Sequence, residues 1–523
     1  MYKNSQEPHG LALLDKGQDY MILNVPSRHI FIGVLLLGLF FCSFILSSCA
    51  INPATKQQEF MIVSEEQEFR IGKKVDKQVR EDMGVYLELS ELRSLVKELG
   101  ENIGQNSDRS NLIYRIEIVD SPDFNAFALP GGFVYVHRGL LERMNSLDDL
   151  ASVLGHEIAH VAARHSAAQI SKAQFMNIGL LGATIATKGA IQDYGQLIQL
   201  GGALAFNKFS RDDEREADYF GTRYMARAGY NPKASIDVMN HIQNLQIREP
   251  TTLETWFMTH PPTRERLANL NHEIEEIRLE QPGVLNRPLK RNQYVVLLDR
   301  LAVGEWNGNE LVSGEHYYNK EFLLSLKIPE GWRARINSKQ YTALFVHPKK
   351  GFYAFFDTEP LRIHKTTAEY FRDFEKRVKQ RGLRKVKSLT TNRILRHDAL
   401  IGIYKGYDRK RDSIMVEGIA FVKGTNGYSL IGSSKKDDFE EFQPLVESMI
   451  ERLQFISQRE ASELKPSRLR IHKVENGETW ASITEKYFNS SFGMEKLAEY
   501  NGLEASQEPS PGILLKIPPT LRF

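Results

Sequence analysis

Between Leu147 and Ile170 the chain keeps apolar residues at Leu147, Leu150, Leu154, Ile158 and Val161, with no proline to interrupt them. That spacing is close to 3.6 residues and predicts one amphipathic helix over the whole run. Inside it stands Gly155-His156-Glu157-Ile158-Ala159-His160. Two histidines four apart on a helix share a face, one turn from each other. Imidazoles presented that way can share one Zn²⁺ at roughly 2.0–2.1 Å each. Glu157 follows the first histidine directly, so it stands beside the metal rather than on it. There it can take a proton from a water that the metal has made more acidic. An ordinary amphipathic helix can carry the same five residues by chance, so the rest of the chain has to decide.

A catalytic zinc needs a third protein ligand and an open position for water. The best candidate lies about fifty residues on, in Phe209-Ser210-Arg211-Asp212-Asp213-Glu214-Arg215-Glu216-Ala217-Asp218. The pattern is again helical and runs to Gly229, with Asn231-Pro232 as its stop. Glu214 and Asp218 are four apart and therefore on one face. Glu214 can ligate the metal while Asp218 accepts the spare N–H of a ligating histidine and so fixes its tautomer. Glu216 points elsewhere and is the weaker ligand candidate. Alone, such a charged segment reads as a solvated helix face.

Together with Thr259-His260-Pro261-Pro262-Thr263-Arg264, these segments resemble a zinc metallopeptidase family, metallopeptidase family forty-eight. It includes the CAAX prenyl endopeptidases and the bacterial periplasmic proteases that police outer-membrane assembly. The resemblance spans roughly residues 57 to 275. It implies a mainly helical zincin-type domain with a small sheet and one Zn²⁺ per chain. The first Glu of the family's ExxAD element, its third ligand, maps onto Glu214, and the Asp of that element onto Asp218. Asn125 to Val136 resembles the family's substrate-side strand, which makes Ala128, Gly131 and Gly132 the expected substrate-binding residues. A strand edge there pairs loosely with an extended peptide, and Pro130-Gly131-Gly132 would let the backbone approach the metal closely.

His260 precedes a proline and is therefore expected on a loop. Related periplasmic members carry a histidine in a matching HP element near the zinc. His260 then acts either as a latch in the open coordination site or as a donor to the oxyanion of the attacked carbonyl. The latch is the preferred reading.

The chain opens with a polar leader, Arg28-His29, and an apolar run from Ile30 to Leu46. Length alone leaves signal peptide and membrane anchor open. Leu46-Ser47-Ser48-Cys49 resembles a bacterial lipobox, so residues 1–48 are expected to be a lipoprotein signal peptide and Cys49 the acylated residue. Met21 is an alternative start. The only other cysteine, Cys42, lies in the segment to be removed. Ala50 after Cys49 favours the outer membrane by analogy with lipoprotein sorting.

Twenty-six per cent of the residues are charged, yet the net charge is only +2, so the whole chain offers no field for nucleic acid. Basic runs such as Arg409-Lys410-Arg411 read as solvated loops. The 523 residues are enough for three domains. The expected fold is multidomain α+β, with the metallopeptidase domain over 49–280. Gln281-Pro282-Gly283 and Arg287-Pro288 read as a linker to an α/β sandwich over 290–457. There, strands are expected near Leu323–Ile328, Thr342–Val346, Phe352–Phe356, Ala399–Tyr404 and Ile414–Val422. Helices are expected near Ala368–Gln380 and Phe439–Leu453, and Thr425-Asn426-Gly427 reads as a hairpin turn. Ile328-Pro329-Glu330-Gly331-Trp332 resembles a PsbP-like strand end, a short motif. A protein-binding role is the default for this domain. The apolar stretch around Ile178–Ala186 is too short to span a bilayer and reads as helices packed over the active site, with a lid or a membrane-resting surface as the alternative.

After a charged linker near Arg459–Arg470, Val474 to Trp480, Ile483, Tyr487, Leu497, Asn501 and Pro511 to Pro518 resemble a LysM module. That implies a βααβ unit over 470–519 binding peptidoglycan-type chains. Trp480 in place of an aliphatic residue, and the long stretch from Tyr487 to Leu497, depart from the pattern and put glycan binding in doubt.

The function these readings point to is a zinc metalloendopeptidase of the bacterial envelope. Its substrates are unfolded or misassembled envelope proteins, and it meets the membrane through lipid on Cys49. Two alternatives stand beside it: a chaperone or assembly factor on a peptidase scaffold, and a peptidoglycan hydrolase guided by the LysM-like module.

Overall fold

The computed structural model describes residues 49–182, 208–248, 259–306, 308–337, 342–394, 397–408, 411–490 and 493–521. The leader, its apolar run, Leu46 to Ser48 and residues 183–186 of the apolar stretch lie outside them. No helix among the described residues is long and apolar enough to cross a membrane.

The first unit begins with an antiparallel ribbon, β1 (Cys49–Ile51) and β2 (Gln58–Phe60). Ser64 and Gln67 form a capping box that starts α1 (Glu65–Met83), and α2 (Ser90–Gln105) follows. Strands β3 (Arg115–Val119), β4 (Ala126–Leu129) and β5 (Phe133–His137) make a sheet in the order β3-β5-β4. β5 runs parallel to β3 and antiparallel to β4, which leaves β3 and β4 as the two edges. Beyond α3 (Arg138–Arg143) lies the central helix α4 (Leu147–Ala162), whose N-cap Ser146 accepts from the Asp149 amide. Leu150, Leu154 and Ile158 are fully buried on it, each worth roughly 1.5–3 kcal/mol of apolar transfer.

The expected single helix from Leu147 to Ile170 is broken. Arg164 takes a left-handed φ of 58°, and α5 (His165–Gly182) starts afresh after it. A non-glycine residue holds that conformation only where its surroundings over-determine it. Here Arg164 donates to Glu68 at 2.9 Å and to the Val63 carbonyl at 2.9 Å, while Arg109 donates to the same carboxylate at 3.1 Å.

A capping box at Ser210 and Asp213 opens α6 (Arg211–Arg227). It crosses α4 with the backbones almost touching: a Cβ on Gly155 would stand 2.6 Å from the Gly221 carbonyl oxygen. Only glycine on both helices permits that approach, and it brings the face of His156 up to the face of Glu214. The unit is completed by α7 (Ala234–Arg248), α8 (Arg264–Glu280) and α9 (Arg291–Val295). The expected linker at 281–288 is packed structure: Val284 is buried, and Arg287 donates to the Ala226 and Tyr230 carbonyls.

The chain leaves this unit on β6 (Ala302–Val303), which pairs with the much later β18 (Ser467–Arg468). Between them, β7 (Glu310–Ser313), β8 (His316–Asn319) and β9 (Leu324–Lys327) join β17 (Gln454–Phe455) in a four-stranded sheet. A seven-stranded antiparallel sheet holds β10 (Arg333–Asn337), β11 (Thr342–His347), β12 (Phe352–Pro360), β13 (Arg384–Ile394), β14 (His397–Tyr407), β15 (Ser413–Lys423) and β16 (Asn426–Lys435). Its order is β10-β11-β12-β16-β15-β14-β13. Helix α10 (Thr367–Gln380) covers β14 and β15 on one face, and α11 (Phe439–Glu451) covers the other. The hairpin turn is Gly424-Thr425, since Lys423 already pairs with Asn426. Gly424, with φ of 61°, supplies the left-handed corner, and Asn426 and Gly427 belong to the strand.

The expected charged linker contains α12 (Gln458–Glu463), opened by a Ser457–Glu460 capping box. The last unit runs β19 (Arg470–Lys473), α13 (Trp480–Phe488), α14 (Met494–Tyr500) and β20 (Leu514–Ile517), with β19 and β20 antiparallel. Trp480 is buried, and its indole N–H donates to the Gln507 carbonyl at 2.8 Å. This unit is bolted to the first one. Lys516 is fully buried and donates to the Glu142 and Met144 carbonyls at 2.8 and 2.9 Å. Arg291 donates to the Asn501 carbonyl at 2.7 Å, and the Tyr500 hydroxyl reaches Glu142 at 2.7 Å.

Candidate metal centre

Helix α4 turns His156 and His160 inward with their Nε2 atoms 3.1 Å apart. Across the glycine crossing, the Glu214 carboxylate stands 3.6 Å from each of those nitrogens. His260, on the segment before α8, places Nδ1 3.2 Å from His156 Nε2 and 2.8 Å from Glu214. All four side chains are buried, and their donor atoms lie within 4.8 Å of one another. Donors about 2.0–2.2 Å from a shared tetrahedral zinc stand roughly 3.3–3.5 Å apart. The observed spacings of 2.8 to 3.6 Å bracket that edge, so the set fits such a metal.

A second layer orients these groups. Asp218 lies 3.0 Å from His156 Nδ1, which holds the proton there and turns the Nε2 lone pair inward. Arg266 grips both oxygens of Asp218 at 2.7 Å and reaches Glu214 at 2.8 Å. His160 Nδ1 lies 2.8 Å from His165 Nδ1, and His165 Nε2 lies 3.2 Å from Glu216. The Phe209 ring stacks on His160 with centroids 4.0 Å apart.

Glu157 is buried, takes a hydrogen bond from the Ala128 amide, and has one oxygen that accepts none. His260 Nε2 lies 3.5 Å from that carboxylate. Burial raises its pKa against the pull of His260 and His156. Burial and the neighbouring histidines push His160 well down, which keeps it neutral as a ligand must be. Burial alone would raise Glu214 and Asp218. The Glu214 carboxyl is nevertheless lowered by His260 and Arg266, and the Asp218 carboxyl by Arg266 and His156.

The expected metal-ligating and catalytic residues are thus gathered at one place, with Ala128 beside them, while the two glycines and Cys49 lie elsewhere. A Cβ on Gly131 would meet Phe69 Cα at 2.6 Å, and one on Gly132 the Ile113 carbonyl oxygen at 2.7 Å. Their close approach is to α1 and the 112–113 segment. Cys49 lies on β1, opposite Phe60. Arg266, His165, Glu216 and Phe209 escape the sequence reading as parts of the site. A continuous helix would turn His165 about 140° away from His160, and only the break at Arg164 brings it back.

Residues 87–274 match peptidase family M48. Over 185 residues the chain is 31% identical to metalloprotease YcaL of Escherichia coli, covering 35% of this chain and 68% of that one. The chain belongs to peptidase family M48. It is also similar to the mitochondrial metalloendopeptidase OMA1 of Bos taurus, with 29% identity over 47% of this chain and 50% of that one. With the beta-barrel assembly-enhancing protease of Yersinia pestis it shares 29% identity over 36% and 40%. The chain spans about half the length of such curated relatives. The M48 region contains every residue of the metal cluster and its second layer.

Proposed function

We propose that this M48 member is a zinc-dependent endopeptidase of the bacterial envelope that hydrolyses misfolded or misassembled envelope proteins. One observation carries the reading: four buried donors from α4, α6 and the segment before α8 converge within 4.8 Å. His156, His160 and Glu214 hold the zinc, which supplies Lewis-acid polarisation when bound. Glu157 takes the proton of the attacking water. Asp218, Arg266, His165 and Glu216 keep the imidazoles in register. His260 occupies the fourth corner as a latch that substrate displaces. The outer edge of β4, beside α4, receives the extended peptide backbone.

Acylation of Cys49 ties the chain to the outer membrane, facing the periplasm, and the C-terminal unit meets peptidoglycan-type glycans. Similarity to the beta-barrel assembly-enhancing protease of Yersinia pestis supports an envelope setting.

Metal analysis and digestion of unfolded casein test the central reading. Wild-type protein should carry one zinc, His156→Ala should lose it, and Glu157→Gln should keep zinc without cleaving casein. Undiminished zinc in His156→Ala would sink the assignment, as would full casein cleavage by Glu157→Gln. Clearing of purified murein by the wild type, without casein cleavage, would favour the hydrolase alternative.

A further inference from the structure

Residues 361–412 hold sixteen Lys or Arg against six Asp or Glu, while the other 471 residues hold 52 against 60. The modest net charge of +2 conceals a strongly basic segment. In the fold this segment is α10, β13, β14 and their connections, at the free edge of the seven-stranded sheet. Two of its six acids are engaged, Asp373 with Lys365 and Lys376, and Glu375 with Lys385, and exposed Asp408 and Asp412 leave the segment strongly basic in balance. Lys379, Arg381, Arg384, Lys387 and Lys405 are exposed and form no ion pair among the described residues.

Most of these cations share one end of the unit. A Cβ on Gly406 would stand 2.4 Å from Leu383 Cδ2, so the turn after α10 lies against the end of β14. Arg384 and Lys405 are direct partners across β13 and β14. Like charges placed opposite each other destabilise a ladder, so this pairing calls for an anion from outside. Between the cations stand apolar side chains turned to solvent, Val386 at 54% and Tyr407 at 75% exposure.

We propose that this end of the middle unit docks on the anionic face of a lipid bilayer. The cations meet lipid phosphates, and Val386 and Tyr407 enter the headgroup boundary, where aliphatic and tyrosyl side chains are accommodated. An extended acidic peptide adding to β13 fits less well, because register shifts at Lys385/Lys387 and Thr391/Ile394 interrupt that edge. A nucleic acid would satisfy the cations and leave Val386 without a partner. Protection of a bare sheet edge needs a lysine or two on the strand, whereas this surplus continues onto α10 through Lys379 and onto β14 through Lys405.

The full chain, carried in phosphatidylcholine nanodiscs, is offered phosphatidylglycerol vesicles, phosphatidylcholine vesicles or soluble polyphosphate, and capture is read by co-sedimentation. Capture should be confined to the phosphatidylglycerol vesicles and vanish in about 1 M salt, where the Debye length is about 3 Å. Near an anionic bilayer each cation is worth roughly fivefold in partition. The triple reversal Arg381→Glu, Arg384→Glu, Lys405→Glu should therefore weaken capture by at least about tenfold, with the thermal midpoint unchanged. Val386→Ser with Tyr407→Ser should also weaken it, at unaltered charge. Equal capture by the two lipids, full capture by the reversal variant, or capture of polyphosphate without vesicles overturns the proposal.

Discussion

Arg266 grips Asp218 through two parallel bonds of 2.7 Å, across 48 residues of sequence, and its third nitrogen reaches Glu214 at 2.8 Å. One guanidinium therefore fixes both the acceptor that orients His156 and a carboxylate of the metal cluster. A lysine supplies the charge without the fork. Arg266→Lys is expected to lower zinc affinity by about 10–100-fold, the usual effect of losing an orienting partner, and Arg266→Ala at least as much. Competition against a chromogenic chelator measures this without reference to turnover.

The relay from His160 to His165 and Glu216 makes a parallel prediction. With His165→Ala, the His160 Nδ1 proton loses its acceptor and the ring is free to flip. Zinc affinity is expected to fall by about 10–100-fold, with a smaller fall in Glu216→Gln, where a weak acceptor remains. Affinities equal to wild type in both would make the relay a packing feature.

His260 distinguishes two roles by sign. Its Nδ1 stands where a fourth donor would, 3.2 Å from His156 and 2.8 Å from Glu214. His260→Ala is expected to raise basal casein cleavage and self-cleavage, because the latch is gone. A loss of roughly 10²–10³-fold in turnover would instead mark an oxyanion donor.

Stability should depend on pH through Glu417, which is fully buried on β15 with one oxygen accepting no hydrogen bond. Burial and the nearby Glu447 push its pKa up from 4.5 to about 8. Between those values the folded state binds a proton that the unfolded state has lost, so stability falls as pH rises and levels off above about 8. Glu417→Gln should remove that slope and stabilise the protein at pH 9 by an amount on the order of a few kcal/mol. Denaturant midpoints at pH 5, 7 and 9 give the answer.

What the sequence reveals of this site is what a helix fixes locally. His156 and His160 are one turn apart, as are Glu214 and Asp218, and the capping residues Ser64 and Ser210 mark helix starts. The partners that arrive from a distance leave no such trace. Arg266 sits in a charged helix whose sequence does not reveal the face turned to α6. His165 depends on a break at Arg164, which in turn depends on Glu68, almost a hundred residues earlier. The glycines show the same limit. Gly131 and Gly132 suggest close approach, but only the position of α1 tells what they approach. Strand β13 went unread because all its side chains described from Arg384 to Thr390 are exposed, which removes the alternation that betrays a half-buried strand.

The pairing of β6 with β18 has a consequence for how such a chain can be rearranged. The polypeptide enters and leaves the middle unit on adjacent strands, whose Cα partners in an antiparallel pair are about 4.5–5.5 Å apart. A tight turn of two residues spans that distance. Everything between Val303 and Ser467 is therefore a cassette, removable or exchangeable at a single seam. Excision gives up the Arg335–Asp123 ion pair. It leaves Lys516, Arg291 and Tyr500 still joining the last unit to the first. Neighbours in space here are strangers in sequence, and a recombination at that seam changes what the chain carries without touching the helix that presents His156 and His160.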